Sequence, residues 1–127
     1  MKLIWWAVAT LVTLMALLLS WCEYSENPKS CFATYEEAKN SGLMDRGWIP
    51  IYIPRSSKEI HESHNLDTNS VHMSFKYSQG DTQELEKNCY RKATSAQGTI
   101  WHCEYFGAKV TVELKNDGTA TLSSDRE

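Results

Sequence analysis

Two histidines and an aspartate in the middle of the chain have the residue types and spacing of a small ligand or metal site. His61 and His64 are three residues apart, and Asp67 could supply a third ligand. On a helix, residues three apart share a face, and imidazole and carboxylate groups are common metal ligands. His72 is a further candidate ligand. Because the sequence has no H-E-x-x-H motif and no third ligand at a fixed local spacing, solvated or hydrogen-bonded histidines are the simpler interpretation, and we assign no metal.

Nucleophiles and carboxylate pairs occur without the surroundings that catalysis requires. The sequence has no G-x-S-x-G elbow, and no pattern of basic neighbours marks a cysteine as a low-pKa thiolate. The adjacent carboxylates Glu36 and Glu37 are better explained by helix caps and helix dipoles. We therefore expect a protein that is not an enzyme and that carries no cofactor.

The N-terminus has the composition of a membrane segment. Residues 3–21 contain no charge, and at about 1.5 Å per residue a helix of this length reaches roughly 28 Å, close to the thickness of the hydrocarbon core. Tryptophans stand near both ends, where their rings prefer the membrane interface. Lys2 is the only positive charge on the short side, so residues 22–127 are expected to cross to the outside.

The mode of attachment has three alternatives, all of which export the same domain. A retained anchor needs no cleavage site, whereas a cleaved signal normally has a shorter apolar stretch. The sequence Leu19-Ser20-Trp21-Cys22 resembles a lipoprotein signal, but Trp21 stands where a small residue is expected before the lipidated Cys22. We expect a single N-terminal span in a bacterial cell membrane, with the domain periplasmic or extracellular. A lipid anchor on Cys22 is the alternative.

The four cysteines suit an oxidising compartment, where disulfides persist. They are Cys22, Cys31, Cys89 and Cys103. With Cys22 at the membrane face, three remain, which predicts one disulfide and one odd thiol. A bond between Cys89 and Cys103 would close a short loop, and Cys31 is the alternative partner of either. No C-x-x-C motif or Cys/His cluster has zinc-finger spacing, which disfavours a zinc site.

Size and charge exclude several classes of protein. The chain has 127 residues, too few for a multidomain enzyme beside the apolar segment. It carries 13 basic and 16 acidic side chains, and Lys2 alone precedes Cys22, so the exported part has a formal charge of −4. The absence of a basic patch argues against a nucleic-acid partner. The acidic domain suits a basic protein partner, such as a toxin neutralised by an immunity-type protein.

The predicted fold class is α+β, with an N-terminal membrane helix and three short helices beside an antiparallel sheet of about four strands. Residues 1–21 form the signal anchor or signal peptide, 22–30 a tether, and 31–127 the exported domain. Three helix start signals occur, namely Thr34 with Glu37, Ser56 with Glu59, and Asp81 with Glu84. Gly42 ends the first predicted helix, and the second runs through about Ser63.

Alternating apolar residues predict strands over 71–77, 99–105 and 109–115. A loop of three residues at 116–118 would pair Leu114 with Ala120 and Val112 with Leu122. This register keeps one face apolar and places Gly118 in the left-handed region, so we favour it over a loop of two residues.

The segment 46–54, RGWIPIYIP, is apolar on both faces. Its prolines forbid a helix, so it is predicted to be an edge strand or an extended loop. A strand covered on both sides is the simpler interpretation. The functional alternative is an exposed edge that pairs with a partner chain through Arg46, Trp48 and Tyr52.

The motifs RGWIP at 46–50, IPxS at 53–56 and HNLDTN at 64–69 give the chain a family resemblance. Over residues 34–77 it resembles an uncharacterised family of small bacterial envelope proteins that are exported or lipoprotein-like. The resemblance implies an envelope location and no catalytic role. A membrane-tethered protein that acts by protein contact is therefore the expected function. The alternative is a periplasmic domain that binds a small ligand or metal through His61, His64 and Asp67.

Overall fold

The structure, a computed structural model, describes Met1 and residues 28–125. Seven strands and two short helices make up the folded part. In chain order they are β1 (Lys29–Thr34), α1 (Tyr35–Asn40), β2 (Lys58–Asn65), β3 (Ser70–Lys76), α2 (Gln83–Asn88), β4 (Cys89–Thr94), β5 (Gly98–Tyr105), β6 (Ala108–Lys115) and β7 (Thr119–Asp125).

All seven strands join one antiparallel sheet in the order β1-β2-β3-β7-β6-β5-β4. The predicted α+β class is therefore wrong: among the described residues the fold is mostly β-sheet, with only two short helices. Strands β1, β2 and β4 join the sheet, although their segments were predicted to be tether, helix or loop. Pairing on both sides satisfies the backbone groups of each inner strand, which local signals in the sequence do not reveal.

One face of the sheet is buried and the other faces solvent. Apolar side chains alternate along β3, β6 and β7 on the buried face. Residues of both helices and of the segment 41–57 belong to the same apolar cluster, so these elements cover that face. The opposite face carries mainly serine, threonine, histidine and charged side chains that are exposed or half-buried. This division is typical of an antiparallel sheet with one solvated side.

The predicted second helix is a strand. Residues Ser56 and Glu59 were expected to form a capping box, but Glu59 has φ 48° at a bulge in β2 and forms an ion pair with Lys76 (Oε2–Nζ 2.7 Å). The Ser56 hydroxyl instead accepts a hydrogen bond from the backbone N–H of Ser78 (2.9 Å). Pairing with two neighbouring strands outweighs the local helix signal.

The segment 46–54 is also not a strand. It follows a run of turns and lies over the core, with Ile49, Tyr52 and Ile53 buried and Ile51 exposed. A strand with a period of two would place Ile51 on the same face as Ile49 and Ile53, and the structure does not have this pattern. The prolines prevent regular pairing here, and burial of the side chains stabilises an irregular cover instead.

Other local predictions are confirmed. Thr34 caps α1 by accepting a hydrogen bond from Glu37 N (3.3 Å), and Gly42 follows the helix at φ 79°. The hairpin between β6 and β7 pairs Leu114 with Ala120, in the predicted register. Its Gly118 has the expected left-handed conformation, at φ 85°.

The disulfide between Cys89 and Cys103 is present, and the two residues are directly opposite on β4 and β5 with a Cα–Cα distance of 4.4 Å. This bond excludes the alternative pairings with Cys31. Cys31 is itself disulfide-bonded, and none of the described cysteines is a free thiol, so the odd thiol predicted from the count is wrong.

Neither helix of the described part has the length or the apolar run that a membrane crossing needs. The span predicted at residues 3–21 and the lipidation candidate Cys22 lie outside the described residues.

Removal of the Cys89–Cys103 disulfide should destabilise the domain. The two cysteines are 14 residues apart, and a loop of this size restricts the unfolded chain by about 3 kcal/mol. The double variant Cys89→Ala/Cys103→Ala should therefore melt roughly 12 °C or more below the parent protein, as measured by circular dichroism. An unchanged melting temperature would contradict a stabilising role for this bond.

Candidate functional site

Several loops and one strand end meet where the chain enters the domain. Lys29 pairs with Ser63, which places Pro28 level with His64 at one end of the sheet. The β2–β3 hairpin (loop 66–69) and the β5–β6 hairpin (loop 106–107) turn at this same end. The end of β7 lies here as well, because Ser124 pairs with Val71 at the start of β3. We call this the entry end of the sheet.

A cleft of about 210 Å³ opens at the entry end, and we call it the Trp48 cleft. Its floor consists of buried apolar residues of β3, β6 and β7, its walls include the half-buried rings of Trp48 and Tyr105, and polar groups stand among its other lining residues. The complete lining is Arg46, Gly47, Trp48, Pro50, Asn69, Val71, Tyr105, Ala108, Val110, Leu122 and Ser124. Concave sites with apolar walls and few polar groups are typical of binding pockets.

Trp48 packs against a buried pair of side chains, His64 and Glu62. Its ring stacks on the imidazole of His64, with centroids 4.0 Å apart and planes at 18°. His64 Nδ1 is 2.7 Å from Glu62 Oε1. Burial raises the pKa of the Glu62 carboxyl above its ordinary value, while the hydrogen bond and the charge of His64 oppose that rise. Glu62 Oε2 has no hydrogen-bond partner among the described residues.

Arg46 is fixed by backbone carbonyls. Its Nε donates to Gly42 O (3.2 Å) and its Nη2 to Ser41 O (3.5 Å), at the C-terminal end of α1. A cation at this position complements the helix dipole. Arg46 is also the only charged residue among those that line the Trp48 cleft.

Tyr52 lies behind the cleft wall and does not line the cleft. It is 2% exposed and meets Tyr105 edge to face, with ring centroids 5.6 Å apart. Burial raises the pKa of the Tyr52 hydroxyl above its ordinary value. The Tyr105 hydroxyl donates to Met44 O (3.3 Å), which holds the wall in place.

The structure does not bring His61, His64 and Asp67 together. The two histidines lie on the strand β2 and not on a helix, so their separation of three residues places them on opposite faces of the sheet. His61 is on the solvated face, 3.3 Å from the Cys31 sulfur. Asp67 is an exposed residue of the β2–β3 loop. No group of three potential metal ligands occurs in the described part of the chain.

Sequence reasoning missed Phe106, which is 68% exposed at the tip of the β5–β6 hairpin. Phe106 and Gly107 are the two residues of its turn, at φ 49° and 76°, and such a turn is typical of a tight hairpin. A Cβ atom on Gly47 would lie 3.1 Å from the Phe106 ring, so the tip packs beside the cleft. The Phe-Gly dipeptide between two strands is the signal that could have identified this position.

The buried carboxyl of Glu62 should make stability depend on pH. A raised pKa means that the protonated form favours the folded state, so this contribution is complete below the ordinary pKa of glutamate and is lost as the pH rises through the raised value. Glu62→Gln removes the titration and keeps the side-chain shape. The melting temperature of the variant minus that of the parent should increase from about pH 4 to about pH 8.

The variant Glu104→Gln, at an exposed position, is the matched control. The difference between its melting temperature and that of the parent should not change over the same pH range. A difference for Glu62→Gln that stays constant, or that decreases with pH, would contradict the effect of burial.

Residues 26–76 match the family model of the YbbD head domain, a bacterial family. The matched range includes β1 to β3 and the segment 41–57. It therefore contains Trp48, Glu62 and His64, and it ends before the second half of the sheet. No curated protein and no solved structure matches the chain. The chain is thus similar to the YbbD head domain over the part that carries one wall of the cleft.

Proposed function

We propose that this protein is tethered to a bacterial membrane and acts by protein–protein contact without catalysis, with the entry end of the sheet as its contact surface. The observation that carries the proposal is the Trp48 cleft with the exposed side chains beside it. Phe106 is 68% exposed, and Leu66, in the neighbouring hairpin loop, is 65% exposed. Tryptophan, tyrosine, phenylalanine and arginine are enriched at the centres of protein interfaces.

The polar groups near the cleft already have structural roles, which supports contact and not catalysis. The Ser124 hydroxyl accepts a hydrogen bond from Val71 N (3.1 Å). The Tyr105 hydroxyl donates to a backbone carbonyl, and His64 is held between Glu62 and Trp48. A nucleophile or general base needs a neighbour that activates it and a free path to a substrate.

The tether rests on the uncharged residues 3–21, and fractionation of cells tests it. The full-length chain should remain in the membrane pellet after an alkaline carbonate wash. External protease should reach the domain once the outer envelope is opened. Recovery of the protein in the cytosol with reduced cysteines would contradict both the location and the oxidising compartment.

Truncation of the exposed ring should weaken binding without unfolding the domain. Phe106→Ala removes a side chain at the edge of the cleft, and loss of a central interface residue costs about 2 kcal/mol, or roughly a 30-fold loss of affinity. The readout is recovery of the partner after cross-linking and purification in detergent. Tyr90→Ala is the matched control, because Tyr90 is 66% exposed on the solvated face of the sheet. Equal recovery with both variants would contradict the assignment of this surface.

A further inference from the structure

We propose that the partner is an integral membrane protein, and that it presents an apolar side chain next to a carboxylate to the Trp48 cleft at the membrane surface. This inference rests on the proposed function, because it needs the tether and the contact surface. It adds the class of partner and the place where the two proteins meet.

The cleft and the tether are at the same end of the domain. The register of β1 against β2 places Pro28 beside His64, and Trp48 stacks on His64. The tip of the β2–β3 hairpin extends past this level, since His64 pairs with Val71 while the β2–β3 loop begins at Leu66. The chain therefore comes from the membrane toward the surface that carries the cleft.

The length of the tether limits how far the cleft can be from the membrane. Seven residues, 22–28, separate the apolar segment from β1. Fully extended, they span at most about 25 Å. The opposite end of the sheet is farther away by the length of a strand of six to eight residues, or roughly 20–27 Å. A partner embedded in the same membrane thus meets the entry end of the domain first.

The chemistry of the cleft specifies the side chain that fits it. The floor is made of Val71, Val110 and Leu122, which are at most 4% exposed. An apolar group that covers the remaining exposed area of this floor displaces water from it, and the gain in free energy is proportional to that area. Arg46 is the only charged lining residue, and a guanidinium binds a carboxylate well. An apolar residue beside an aspartate, a glutamate or a C-terminal carboxylate therefore complements the cleft.

A lipid surface fits this end less well than a protein does. The site is concave, whereas a bilayer presents a nearly flat face. The residues around the entry end include both signs of charge, with Asp45, Asp67 and Glu104 on one side of the balance and Lys29, Arg46 and Lys109 on the other. The entry end therefore has no excess of positive charge to attract anionic headgroups. The observations thus favour a membrane protein as the occupant.

The test combines a photo-crosslinking residue with two tether lengths in the full-length chain, produced in its native host cells. The substitution Phe106→p-benzoylphenylalanine places the probe beside the cleft. A spacer of ten prolines between Trp21 and Cys22 moves the domain outward by about 31 Å. The same probe at Tyr90 is the control for random collision, and the melting temperature of each variant confirms folding.

We expect a protein adduct from position 106 that stays with the membrane after an alkaline carbonate wash. Its yield should fall at least tenfold with the spacer, because the local concentration of a partner in the same membrane falls. An adduct with a water-soluble protein, or a yield that the spacer leaves unchanged, would overturn this inference and leave the proposed function standing.

Two further outcomes also count against the inference. An adduct with lipid, or with another part of the same chain, would show that the cleft faces the bilayer or is covered by its own N-terminal segment. A protein yield at position 106 no higher than at position 90 would overturn the proposed contact surface together with the inference.

Discussion

Burial of one face of the sheet is the constraint on which the rest of the structure depends. Strands β2, β3, β5, β6 and β7 present apolar side chains to the same side, and two helices of six residues each are too small to cover it. The turn-rich segment 41–57 completes the cover with Ile49, Tyr52 and Ile53. The segment does not cover the sheet completely near the entry end. The floor of the Trp48 cleft is therefore reached from outside, and Trp48 forms one wall of the cleft.

The parts of the fold that depend on neighbouring residues could be predicted from the sequence. The capping of α1 by Thr34 and the register of Leu114 with Ala120 follow from local chemistry. The strand β2 could not be predicted in this way, because its stability comes from β1 and β3 and not from its own residues. Ser56 and Glu59 form a genuine local helix signal, but pairing over a long range in sequence outweighs it.

The candidate site could likewise be predicted from the sequence only in part. Arg46 and Trp48 were identified because their segment is unusual in composition, and the structure places both on the cleft. His64 was identified because it is three residues from His61, a spacing that places two residues on one face of a helix but not of a strand. In the strand β2, His64 nevertheless contacts Trp48. Phe106 was missed although the predicted strands 99–105 and 109–115 place it in a turn, because the exposure of an aromatic ring at a hairpin tip depends on which residues of other elements pack against it.

The covalent bond between β4 and β5 has a consequence for the edge of the sheet. The strand β4 is last in the sheet order and has an irregularity between Arg91 and Ala93, so hydrogen bonds alone would hold it weakly. Cys89 is joined to the residue directly opposite, and this link prevents the strand from sliding by one position along β5. An outermost strand that can neither slip nor detach is a poor donor for exchange between copies of the chain, which disfavours dimers that swap β4.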